Sequence, residues 1–210
     1  MAFTARFNLF GLDGSNGFVV KGANTGDYAG FSVSGAGDIN GDGIDDIIVG
    51  AYFATNSDGN FAGEAYVVFG SSSGFDDNVE LSSLASNNKG LVIEGINAYD
   101  RTGHAVSGAG DINGDGIDDF IINDYINDIT NSESAGNSYV IFGSNNGFNS
   151  DGFVDRTLSL TDINGSNGFV INGVDIGDRS GRAVSDLGDV NGDGIDDLII
   201  GAFRADPYGY

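Results

Sequence analysis

Short apolar runs closed by glycine recur along the chain. They are too short and too rich in β-branched residues for helices, and they fit strands bounded by tight turns. Phe18-Val-Val-Lys-Gly22, Leu91-Val-Ile-Glu-Gly95 and Phe169-Val-Ile-Asn-Gly173 are three copies of one run. Gly30-Phe-Ser-Val-Ser34, Gly103-His-Ala-Val-Ser107 and Gly181-Arg-Ala-Val-Ser185 are three copies of a second. Ala65-Tyr-Val-Val-Phe-Gly70 is matched by Ser138-Tyr-Val-Ile-Phe-Gly143. Ile47-Ile-Val49 is continuously apolar, as expected of a strand covered on both faces. The first full unit therefore predicts four strands, at about 30–36, 46–52, 63–70 and 91–95.

Between the first two strands of each unit lies a near-invariant acidic stretch, Asp38-Ile-Asn-Gly-Asp-Gly-Ile-Asp-Asp46, which returns as Asp111 to Asp119 and as Asp189 to Asp197. Side-chain oxygens fall at its positions 1, 3, 5 and 9: Asp38, Asn40, Asp42 and Asp46, then Asp111, Asn113, Asp115 and Asp119, then Asp189, Asn191, Asp193 and Asp197. The glycine at position 6 allows a left-handed backbone without a Cβ penalty. The carbonyl at position 7 (Ile44, Ile117 or Ile195) can then turn inward as a further oxygen. Several hard oxygens aimed at one point suit Ca²⁺, which takes about 6–8 of them at about 2.3–2.6 Å. Without a cation, carboxylates crowded into one loop repel. The beginning of the stretch resembles an EF-hand, but that motif needs a bidentate Glu at position 12 and flanking helices. Here position 12 is Val49, Ile122 or Ile200, inside an apolar run. The reading is a strand–Ca²⁺ loop–strand unit with three sites; an Asn/Asp/Gly turn without metal is the plainer alternative.

Composition narrows the partners. The net charge is −23 with 8 Lys+Arg, so a phosphate backbone is repelled and nucleic-acid binding is not expected. The absence of Cys removes disulfides and thiol chemistry. No apolar stretch is long enough to span a membrane, and the first residues form no signal peptide. With 36 Gly and one Pro, the composition fits many short strands joined by tight turns.

A four-stranded unit repeated at long period is the signature of propeller blades, whereas a β-solenoid has a shorter period and a sandwich does not explain three alike loops. The pattern Gly-x-Ser/Ala-Val-Ser-x-x-Gly-Asp-h-Asn-Gly-Asp-Gly-Ile-Asp-Asp-h-h-h-Gly-Ala, with h apolar, resembles the FG-GAP repeat of integrin α-subunit propellers. The resemblance covers almost the whole chain and implies an all-β fold, a β-propeller whose blades have four antiparallel strands, seven to a ring. It also implies a Ca²⁺ loop between the first two strands of a blade, on the face opposite the usual partner-binding face. Repeat two departs from the pattern: Ile122-Asn-Asp124 stands where Val49-Gly-Ala51 and Ile200-Gly-Ala202 stand, which puts its local turn in question.

The expected division is 1–29 as the end of a preceding unit, 30–102 as repeat one, 103–180 as repeat two and 181–210 as a truncated repeat three. That makes about three blade-equivalents, an incomplete ring and part of a longer protein. Residues such as Val19, Ile48, Leu198 and Ile199 are expected on the open ends, which invites self-association, with Phe18 to Lys21 completing the open blade of a second chain.

Other candidate chemistry reads as structural. His104 is the only histidine and its repeat counterparts are Phe31 and Arg182. Gly70-Ser-Ser-Ser-Gly74 fits a nucleophile elbow formally, but its copy Gly143-Ser-Asn-Asn-Gly147 lacks the central Ser. Asp27, Asp100 and Asp178 repeat with the blades, which favours turn hydrogen bonds over an acid pair. Asp45, Asp118 and Asp196 flank the loops as solvated or supporting groups, and Tyr66, Phe69, Tyr139 and Phe142 are expected between blades. Asn164-Gly-Ser166 fits a glycosylation sequon, which matters only in a eukaryotic secretory context. The expected function is a calcium-stabilised, non-catalytic binding or adhesion module of a surface or secreted protein, with a protein or glycan ligand. The rivals are a lectin-like propeller and an accessory propeller of a secreted hydrolase.

Overall fold

The computed structural model describes residues 9–124, 135–146, 148 and 153–206. Thirteen strands lie in these residues: β1 (Val19–Lys21), β2 (Ser32–Gly37), β3 (Asp46–Ala51), β4 (Glu64–Val68), β5 (Asn78–Glu80), β6 (Gly90–Glu94), β7 (Thr102–Gly110), β8 (Asp119–Asp124), β9 (Asn137–Ile141), β10 (Thr157–Ser159), β11 (Gly168–Asn172), β12 (Ala183–Gly188) and β13 (Asp197–Gly201). Among the described residues the helical elements are single 3-10 turns, and no helix is long and apolar enough to cross a membrane.

Blade one is the antiparallel series β2-β3-β4-β6 and blade two is β7-β8-β9-β11. The pair β12-β13 begins a third blade. The fold is thus an all-β arrangement of propeller blades without a closed ring. Each first-to-second strand pairing carries a register shift at the same place, between Gly35 and Gly37, Gly108 and Gly110, and Asp186 and Gly188. A bulge there turns the chain sharply into the acidic loop. The first strands lie innermost. Ser34, Gly35, Ser107, Gly108 and Ser185 line a hollow of about 430 Å³ together with Asp118, Asp186 and Asp196.

β5 and β10 are strands that the apolar pattern does not reveal. Each lies between the third and fourth strands of its unit, and each pairs in parallel with the fourth strand of the preceding unit: Val20 opposite Val79, and Ile93 opposite Leu158. Blade one therefore carries a fifth strand, in the order β10-β6-β4-β3-β2. The connecting segment acts as a clasp between neighbouring blades.

Side chains alternate between the two faces of each blade. On one face of blade one, Ile48, Val67 and Leu91 pack against Val106, Phe120 and Ile122 of blade two. On the other, Val49, Tyr66, Val68 and Leu81 gather with Phe18 and Val20. This corrects one expectation: Ile48 is fully buried between blades and does not lie on an open end. A period of two puts its neighbours Ile47 and Val49 on the opposite face. There, with Val20, Val33 and Leu81, they line an apolar groove of about 510 Å³, and Val33 is 65% exposed. At the far end Ile199 is 52% exposed, as expected of an open blade.

Candidate metal loops

The three acidic stretches join β2 to β3, β7 to β8 and β12 to β13. All three use the same local chemistry. Gly43, Gly116 and Gly194 at position 6 have φ of 86°, 88° and 89°, so the left-handed turn is present in each. The position-1 carboxylate organises the loop. Asp38 accepts the N–H of Asp42 at 3.0 Å and of Gly43 at 2.7 Å. Asp111 does the same for Asp115 and Gly116, and Asp189 for Asp193 and Gly194. The side chains of Asn40 and Asp42 each accept a backbone N–H two residues ahead, at 2.9 and 3.0 Å. The same turns recur at Asn113, Asp115, Asn191 and Asp193. Position 9 opens the next strand and is drawn back across the loop. Asp46 accepts the N–H of Ile39 at 3.2 Å and of Gly70 at 2.7 Å, and Asn40 Nδ2 lies 3.4 Å from its Oδ1. Asp119 accepts from Ile112 and Gly143, and Asp197 from Val190 and Asn191.

Burial, followed by the like charges of Asp42 and Asp38, pushes the Asp46 carboxyl up to about 7 against the two amide bonds that favour its charge. Asp119 is pushed to about 7 in the same way, with Asp115 and Asp111 as the like charges. The loops thus bring positions 1, 5 and 9 near enough to repel. Among the described residues no three acidic or histidine side chains converge tightly enough to form a metal cluster on their own. The donor set of each loop, three Asp carboxylates with an Asn amide and a carbonyl, fits a hard cation in kind. Such an ion would offset both the burial and the repulsion that raise Asp46 and Asp119. The third loop is more open: Asp197 is only partly buried, whereas Asp46 and Asp119 are fully buried.

The flanking aspartates have a role the sequence did not show. Asp118 of blade two accepts the N–H of Asp38 at 2.8 Å, and Asp196 of blade three accepts that of Asp111 at 2.9 Å. Each blade therefore holds the first loop residue of the blade before it, while Asp45 is exposed at the open end. Gly110 is required by this contact, because a Cβ there would overlap the Asp196 carboxylate. Gly188 has the same left-handed backbone, φ 63° against 64°, with nothing near its missing Cβ. Changing either to Ala costs about 1–2 kcal/mol of backbone strain. Gly110→Ala also displaces Asp196 from its N–H partner, adding about 1–3 kcal/mol. Urea unfolding of Gly110→Ala and Gly188→Ala is expected to show the first as clearly less stable; equal midpoints would mean that the cross-blade bond carries no weight.

The FG-GAP repeat pattern matches residues 29–68. The chain belongs to the FG-GAP repeat family. It is similar to integrin alpha pat-2 of Caenorhabditis elegans, 30% identical over 196 residues that make up 86% of this chain and 14% of that protein. It is also similar to integrin alpha ina-1 of the same organism, 35% identical over 100 residues, 47% of this chain and 8% of that protein. The chain spans a small part of the length of both relatives.

At the opposite end of the blades, the FG-GAP units bury a tyrosine against a carboxyl group. Tyr66 donates to Glu64 in blade one and Tyr139 donates to Asp124 in blade two. The acid has moved from the third strand to the second, yet it keeps its level in the ladder: Ala51 pairs with Glu64 across strands, and Asp124 pairs with Asn137. This accounts for the departure at Asn123-Asp124. Its side chains replace a carboxyl lost from β9, and the Asn123 amide donates to the carbonyls of Asn137 and Ser180. Burial raises Glu64 to about 7 and Asp124 well above the usual carboxylate range. The turn after Asp124 lies outside the described residues.

Asp27 and Asp100 accept the N–H of Asn24 and Asn97, at 3.0 and 2.6 Å, and cap turns as expected. Residues 70–74 form a turn closed by Gly74 N–H to Ser71 O at 2.9 Å, with no helix following. Tyr139 is buried between blades one and two and Tyr66 is buried on the other face of blade one, in the cluster with Phe18 and Val20, while Phe69 and Phe142 are partly buried. His104 is buried against the rings of Phe31 and Tyr52, with Nε2 2.6 Å from Arg182 Nη1.

Proposed function

We propose that the chain is a calcium-stabilised, non-catalytic binding module of adhesion type, working at the cell surface or in secreted form. Each loop takes one Ca²⁺: Asp38, Asn40, Asp42, Asp46 and the Ile44 carbonyl hold the first. Asp111, Asn113, Asp115, Asp119 and Ile117 hold the second, and Asp189, Asn191, Asp193, Asp197 and Ile195 the third. The observation that carries this is the threefold identity of loop geometry around the same oxygen set. The integrin alpha names of the relatives support the adhesion side of the reading. Simple loops of this kind suit the weaker extracellular range, about 10⁻⁴–10⁻³ M.

The ion neutralises the carboxylates and ties strand one to strand two. The blades then present a rigid surface, with Asp118 and Asp196 passing the order of one loop to the next. Surfaces coated with the chain are expected to retain cells at millimolar Ca²⁺ and to release them on chelation. Retention unaffected by chelator counts against a calcium-dependent module. Hydrolysis of a polysaccharide that is lost on Asp100→Asn counts against a non-catalytic one.

A further inference from the structure

The face opposite the acidic loops gathers arginines and exposed rings beside the turn aspartates Asp27, Asp100 and Asp178. It is built from the connections that lead into the first strand and out of the second strand of each unit. Tyr28, Arg101 and Arg179 hold equivalent positions there, each following a turn aspartate, with φ of 56°, 60° and 57°. A bulky side chain at positive φ costs roughly 1 kcal/mol or more and persists mostly where the surroundings or a function demand it. Phe31, His104 and Arg182 form a second equivalent set three residues on.

Together these residues form a continuous belt of rings and cations across three blades. Tyr28 lies 5.5 Å from Tyr52, and Phe31 lies 4.5 Å from Tyr52 and 4.9 Å from His104. The Arg101 guanidinium stands 5.5 Å from the Phe53 ring. Beyond the His104–Arg182 contact, Arg182, Arg179 and Arg204 surround the Phe203 ring at 5.7, 5.8 and 5.7 Å. Tyr28, Phe31 and Phe203 are 60%, 53% and 57% exposed, so the rings are offered to solvent. Four of the 8 Lys+Arg of a chain with net charge −23 are in this belt. Burial first, and then the charges of Arg182 and Arg101, hold the His104 ring down at about 4.

We propose that this belt binds an acidic glycan, a pyranose chain bearing carboxylate groups. Exposed ring faces pack the C–H faces of pyranoses, and guanidinium groups take carboxylates in a bidentate fork. Densely charged polyanions are disfavoured by the charge of the rest of the chain, which screens out nucleic acid.

The inference rests on the binding-module reading and specifies its surface. Calorimetry with a hyaluronan oligosaccharide is expected to show binding that weakens as salt rises, with at least a tenfold loss in the Arg101→Asn/Arg204→Gln double variant. Asn tolerates the left-handed backbone at position 101, and an unchanged calcium-dependent melting curve confirms that the variant is folded. A neutral chitin oligosaccharide binding equally well, no binding of the acidic one, or tighter binding of an oligoglutamate peptide would overturn the proposal. Cell retention that survives in the double variant overturns this inference and leaves the module reading standing. Wild-type chain that retains no cells in Ca²⁺ fails the module reading itself.

Discussion

Stripping the chain with a chelator is expected to lower its melting temperature by many degrees. A ligand present at about 100-fold its dissociation constant adds about 2.7 kcal/mol per site when the unfolded chain does not bind it. For a domain of this size each kcal/mol moves the midpoint by about 2–4 °C, so one occupied loop is worth roughly 5–10 °C. The loops hold their shape through hydrogen bonds between a carboxylate and its own backbone, as between Asp38 and Gly43 at 2.7 Å. Nothing among the described ion pairs offsets the charge of Asp38, Asp42 and Asp46, since those pairs are Lys21–Glu80 and Lys89–Asp76. The combined Asp42→Ala, Asp115→Ala and Asp193→Ala variant is expected to melt alike with and without Ca²⁺. A wild-type curve indifferent to chelator would leave the carboxylate clustering unexplained by metal.

The second large effect is self-association. The repeat identifies what covers the apolar groove at the open end. Val33, Ile47 and Val49 correspond to Val106, Phe120 and Ile122, which are buried against Ile48, Val67 and Leu91 of the neighbouring blade. The exposed counterpart of Ile48 at the other end is Ile199. Groove and far face are thus the two halves of an ordinary blade–blade contact, and we propose that one chain docks its last blade onto the first blade of another. β1 already holds β5 on one edge, so its other edge is the one offered to such a partner. A ring of about six blades from two chains lies within the range propellers adopt. In a longer array neighbouring repeats cover the same faces. Light scattering over a concentration series in Ca²⁺ is expected to show mass rising above the monomer, with Val33→Asp or Ile199→Asp reducing it. A folded monomer at high concentration contradicts the proposal.

Strand positions and the blade repeat were legible because each is a local, repeated pattern. Ser32–Gly37, Asp46–Ala51, Glu64–Val68 and Gly90–Glu94 fall within about two residues of their expected ends. The position-6 glycines were legible for the same reason. The clasps β5 and β10 were not, because strands of three residues pair through backbone with one buried side chain each, Val79 and Leu158. The sequence places Asp118 and Asp196 only as solvated or supporting groups, because the amides they serve lie 80 and 85 residues away. Ile48 was assigned to an open end for want of knowing which face of its strand meets the next blade. The migration of the buried acid from Glu64 to Asp124 shows why one repeat breaks the motif: the cross-strand level is kept and the strand is not.

We propose that three loops of one geometry hold three calcium ions. Calorimetric titration of Ca²⁺ into chelator-stripped protein tests it most directly. Three sites per chain are expected, reduced to two by Asp42→Ala alone; a stoichiometry below two in the wild-type chain would mean that the loops do not each take an ion.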